Sequence, residues 1–157
     1  MREDITNLIP GLAKWNNGAG IDLESWICII GRYDHAIGYS LLSWPKFFMY
    51  DDCIFLRPPD PANYLDWMNS YHGDKSKVEA TINHRHIIDI FPNSEFPANI
   101  PIIIYLGELL KEMWSCKLKI DFPERQFQID FDSEEDGNLS RYEITLFQIR
   151  GQIRGSP

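Results

Sequence analysis

The sequence predicts an α+β fold, with several helices packed on a small antiparallel sheet and a C-terminal β-meander. Three observations predict it. Up to Cys116 most apolar residues recur at helical spacing between capping and breaking residues; after Cys116 the pattern becomes strict alternation. The length of 157 residues, 44% of them hydrophobic, suits one domain, 1–157, with a sizeable core.

The elements follow in order. "IPGLAKWNNG" reads as a short helix with Pro10 in its first turn and Asn17-Gly18 as its stop. In "GAGIDLESWICIIG", Asp22 is placed to cap a second helix, with Leu23, Trp26, Ile27 and Ile30 on one face. "YDHAIGYSLLSW" reads as a third, with Asp34 as a possible cap and Pro45 as its stop; Gly38 in its middle suggests a closely packed neighbour. "KFFMYDDCIFLR" changes period and reads as two short strands turning at Asp51-Asp52. Asp60 and Pro61 start the helix "PANYLDWMNSY", which His72-Gly73 ends. Asp74 caps the next helix, which carries "VEATINHRHIIDIF" and runs to about Phe91-Pro92. "PIIIYLGELLKEMWSC" is the last long helix, with Ile103, Leu106, Leu110 and Met113 or Trp114 as its buried stripe. Leu118, Ile120 and Phe122 then alternate with polar residues, as do Phe127, Ile129 and Phe131, and Tyr142, Ile144 and Leu146. Phe147 and Ile149 break the phase, which suggests a bulge, and the tail 150–157 reads as frayed.

The net charge of −8 argues against nucleic acid and against anionic membranes, because both need clustered Lys and Arg. It can steer a basic protein partner. No apolar run is long enough to span a bilayer, and "MREDITNLIP" lacks the apolar core of a signal peptide. Cys28, Cys53 and Cys116 lie far apart in apolar surroundings, as buried reduced thiols of a cytoplasmic protein would. The five tryptophans fall inside apolar patterns and are expected in the core. Neither a nucleophile elbow nor a phosphate-binding loop occurs, and no cofactor is expected.

Three sets of residues are site candidates. On a helix, Glu79, Asn83 and His86 share a face and could form an acid–base pair with a positioning amide, supported by His84 or Asp89. The same row could instead be a buried hydrogen-bond network. His84 and His86, two apart on that helix, would diverge by roughly 200° and could not hold one metal ion; on a strand they could. The segment Asp132–Glu143 matches a calcium loop at Asp132, Glu134, Asp136, Gly137 and Glu143, yet its flanks alternate like strands where such a loop needs helices. Lastly, Tyr64, Trp67 and Tyr71, with the acids Asp130, Asp132, Glu134, Glu135 and Asp136, could form a surface for a protein partner.

At "WNNGAGIDLESW", "AIGYSLLSWPKFFMYDDCIFL" and "VEATINHRHIIDIF" the chain resembles a family of short bacterial proteins with no known activity. The likeness covers the first two-thirds and transfers no site. It implies a stand-alone, cytosolic bacterial protein. By analogy of size, acidity and single-domain form such a chain is comparable with the immunity proteins of toxin systems, and a non-catalytic protein that binds a partner is the expected function, with a small enzyme or a metal-binding protein as the alternatives.

Overall fold

The computed structural model describes residues 5–92, 94, 98–133 and 138–150. It forms two compact units, Met1–Leu42 and Ser43–Pro157.

In the first unit, 3-10 turns at Ile5–Leu8 and Pro10–Lys14 lead into the single turn α1, Trp15–Gly18. Asn16 and Asn17, inside that turn, leave the right-handed helix for left-handed backbone, with φ of 51° and 56°. Asparagine tolerates that region better than most residues, and the Asn16 amide donates to the Gly20 carbonyl at 2.8 Å. Asp22 caps α2, Leu23–Ile30, by accepting from the Ser25 N–H at 2.9 Å. Helix α3 spans Tyr33–Ser43. Asp34 is not its cap; it lies in the first turn and pairs with Arg32 at 2.6 Å. Among the described residues the close neighbour expected at Gly38 is also absent, since a Cβ there would meet none of them within 4 Å. Residues of α2 and α3 are exposed or half-exposed throughout, Ile27 and Ile30 included.

The second unit opens with the hairpin β1, Phe48–Tyr50, and β2, Cys53–Phe55. Its turn residues Asp51 and Asp52 both have positive φ, 47° and 63°, as a two-residue hairpin matching strand twist requires. Asp60 caps α4, Pro61–Ser70, and Asp74 caps α5, Lys75–Asn83. Between them His72 and Gly73, at φ of 52° and 83°, break the helix.

Helix α5 stops at Asn83, well short of Phe91, so the helical reading of this segment is corrected over its second half. His84 is extended, Arg85–His86 form strand β3, and Ile87–Ile90 make a 3-10 turn. Helix α6, Ile100–Asp121, is longer than the sequence suggested, and takes in Leu118 and Ile120, which read as strand. Ile103, Gly107, Leu110, Trp114 and Leu118 form its buried stripe, while Leu106 is only half-buried. Strands β4, Phe127–Asp132, and β5, Glu143–Gln148, pair antiparallel, and the three-stranded sheet has the order β3-β5-β4.

The β4–β5 register runs unbroken from Phe127↔Gln148 to Asp132↔Glu143, without the bulge expected near Phe147. Gln148 takes the buried place instead, and its amide is satisfied by Glu79 and the Asp52 carbonyl. Of the cysteines only Cys53 is buried; Cys28 and Cys116 are exposed, contrary to expectation. Cys116, two positions from Trp114, points away from the α6 stripe. Trp114 is core, but Trp44 is 42% exposed.

Candidate functional site

Glu79 and Asn83 are one helical turn apart on α5, between β2 and the stretch of β5 that lies beyond its pairing with β3. Glu79 accepts from the backbone N–H of Ile54 at 2.7 Å and of Gln148 at 2.8 Å. Asn83 accepts from Leu56 N–H at 2.9 Å and donates to the carbonyls of Ile54, at 2.9 Å, and Leu146, at 3.2 Å. The match is geometric: four residues of helix rise about 6 Å, and two residues of strand about 6.8 Å. Two side chains thus stand in for a missing strand and join the two sheets. Arg150 adds bonds of 2.8 and 3.1 Å to the Glu79 carboxylate, so this residue of the expected frayed tail is anchored; 151–157 lie outside the described residues.

The acid–base pair of Glu79 with His86 is therefore not assembled. Glu79 is completely buried beside Gln148, whereas His86 pairs with Glu143 at the other end of β5, about 17 Å away along the strand. Asn83 belongs to the buried network and Asp89 is exposed on the 3-10 turn.

The end of α5 creates a different site. Once the chain is extended, residues two apart point to one side. The Nε2 atoms of His84 and His86 lie 3.3 Å apart, with the rings edge to face. Glu143, the register partner of His86 on β5, places Oε2 3.3 Å from His84 Nε2. One donor atom from each of the three residues lies within 4.8 Å of the others. His86 Nδ1 is 2.6 Å from the Ser140 carbonyl, which can only accept, so Nδ1 carries a proton and Nε2 can offer its lone pair. Ser140 is itself held by Asn138, whose side chain accepts from Ser140 N–H at 3.1 Å and from its hydroxyl at 2.7 Å.

Two histidines and a carboxylate, with the second ring nitrogen of one histidine tied to a backbone carbonyl, match the donor set of open transition-metal sites. Two donors about 2.0–2.1 Å from a tetrahedral ion lie about 3.3 Å apart. The edges from His84 to His86 and from His84 to Glu143 have that length, and His86 Nδ1 lies 3.7 Å from the same Glu143 oxygen. The three side chains are 36–38% exposed, which leaves solvent access to a further coordination position. Sequence reasoning named these histidines but set them on a helix; the overlooked signal was the alternation His84-Arg85-His86 after Asn83.

In the calcium-loop reading, Glu134, Asp136 and Gly137 lie outside the described residues. The flanks are strands, as their alternation indicated, and Asp132 and Glu143 face each other across them. The partner surface is also altered. Tyr64 is 2% exposed and its hydroxyl donates to Asp51 at 2.7 Å. Burial and this hydrogen bond push its pKa up. Trp67 and Tyr71 stack on each other at 5.6 Å, half-buried over the cluster of Cys53, Phe55, Tyr64 and Val78. Asp130 and Asp132 are exposed, while Glu134, Glu135 and Asp136 lie outside the described residues.

No helix among the described residues is long and apolar enough to cross a membrane. No protein-family model matches the chain, and neither a curated protein nor a solved structure matches it.

Proposed function

We propose that the protein binds a divalent transition-metal ion through His84 Nε2, His86 Nε2 and Glu143. The observation that carries this reading is the pair of 3.3 Å separations, the spacing of donors around a tetrahedral ion. The Ser140–His86 bond supports it by fixing the tautomer that frees Nε2 for a ligand. Imidazole and carboxylate together suit zinc, nickel, cobalt or iron(II) rather than calcium or magnesium. Calorimetric titration of chelator-stripped protein with zinc tests it. One equivalent should bind, and His84→Ala or His86→Ala should weaken binding at least about tenfold. Unchanged binding in both variants would place the ion elsewhere.

A second reading has the exposed Asp130 and Asp132 in its favour: a basic protein partner in the cytoplasm, which includes the toxin-inhibiting role suggested by analogy with small acidic immunity proteins. Complex formation at two salt concentrations tests it, and salt-independent affinity would remove its electrostatic basis.

A further inference from the structure

Helices α2 and α3 have little of their own to hold them. They span eight and eleven residues, and no residue of either is buried. Isolated helices shorter than about 12–15 residues are marginal in water, and packing of an apolar face is what sustains most of them. Both helices are nevertheless rich in apolar residues. Ile27, Ile29, Ile30, Ile37 and Leu41 are 46–64% exposed, and Tyr33 is 93% exposed. At about 200 Å² for a fully exposed residue of this size, these six expose on the order of 800 Å². The largest apolar patch of a typical monomer is about 300–600 Å², whereas each partner in a standard stable interface contributes about 800 Å².

On α3 the exposed side chains form a stripe. Tyr33, Ile37 and Leu41 recur at intervals of four on one face. Leu42, half a turn round from Tyr33, is half-buried and marks the inner side. Ala36 and Ser40 flank the stripe and are small enough for close approach. The Ser40 hydroxyl already donates to the Ile37 carbonyl at 2.8 Å, so covering it leaves no donor unsatisfied.

Charge selects the occupant. Between Ser25 and Pro45 the formal charges are Arg32 and Asp34 alone, and these two pair at 2.6 Å. The segment is therefore neutral in a chain of net charge −8. A basic protein finds no spare acid here, and nucleic acid or an anionic membrane finds no spare base. A second copy of the same chain brings a neutral apolar face of matching size, and two acidic chains repel each other least where the local charge cancels.

We propose that α2 and α3 form the contact between two copies of this chain. Such a contact repeats one patch about a two-fold axis. With the axis at Ile37, the central residue of the stripe, Tyr33 packs on Leu41 of the partner subunit. The pairing does not depend on the metal ion.

Size-exclusion chromatography with light scattering, on the full chain over a dilution series, tests it. The native chain should show twice the monomer mass and dissociate on dilution. Ile37→Glu should weaken association at least about tenfold, because a charge at the centre of the contact loses its water. Tyr33→Glu, at the most exposed of these side chains, should do the same without disturbing packing inside one chain. Leu65→Glu, at a comparably exposed apolar residue of α4, should remain dimeric. The melting temperature should rise with protein concentration for the native chain and not for Ile37→Glu. A native chain that is monomeric at every concentration would overturn the proposal. Flotation of that monomer with neutral phosphatidylcholine vesicles would reassign the face to lipid, and lowered melts of both stripe variants would reassign it to another part of the same chain. A dimer that survives both stripe substitutions would equally overturn it.

Discussion

Asp51 has φ of 47° at the β1–β2 turn, and its carboxylate accepts from Tyr64 at 2.7 Å and pairs with Lys75 at 3.1 Å. The Tyr64 hydrogen bond, then that from Lys75, holds its pKa below the usual carboxylate range. Between the lower folded value and the unfolded value near 3.9, the unfolded chain binds more protons. The stability from this carboxylate is thus complete above the unfolded value and is lost as pH falls through the folded one. Asp51→Asn keeps the tolerance for left-handed backbone, so denaturant titrations should show it less stable than the native chain at neutral pH, with the gap closing in acid. Tyr142 presents the opposite case. It is fully buried and its hydroxyl has no hydrogen-bond partner among the described residues. Tyr142→Phe should be neutral or stabilising by up to about 1 kcal/mol in the same assay; a clear loss would reveal a partner for that hydroxyl.

Between elements, the principal link is the pair Glu79 and Asn83, which joins β2 to the part of β5 that β3 leaves unpaired. Glu79→Gln should cost about 3 kcal/mol, because Arg150 would lose its counter-charge and the Glu79 position lies wholly inside. A loss under about 1 kcal/mol in urea unfolding would mean that Arg150 finds another partner. Gly107 is the second control point: a Cβ there would run into the Phe131 ring, so Gly107→Ala should destabilise by about 1–3 kcal/mol. Much of this level was legible. The caps Asp22, Asp60 and Asp74, the Asp51-Asp52 turn and the β4 and β5 alternation could be read directly, since each depends on local chemistry. The errors have tertiary causes. "VEATINHRHIIDIF" keeps a plausible helical period, but Asn83 uses its side chain on distant backbone and the chain turns extended behind it. "CKLKID" fits both periods; the burial of Leu118 one turn after Trp114, with the Lys117–Asp121 pair, decides for helix.

For the molecule as a whole, the site at His84, His86 and Glu143 spans two strands that meet only through β-sheet pairing. An ion held there cross-links β3 to β5 and must stabilise the folded state: at a free concentration of 100 times Kd, by about 2.7 kcal/mol. Zinc should therefore raise the melting temperature of the native chain and leave that of the His84→Ala, His86→Ala double variant unchanged. The effect should fade on acidification, because protons compete with the ion for the imidazoles. None of this was legible in the spacing of two histidines alone. It required Glu143, distant in sequence, to arrive opposite His86, and Ser140 to reach its Nδ1. Anomalous diffraction from a zinc-soaked crystal examines the proposal most directly. We expect one peak about 2.0–2.1 Å from the Nε2 atoms of both His84 and His86, with Glu143 oxygen as a third neighbour. A fully zinc-exposed crystal with no peak between the two rings would contradict it.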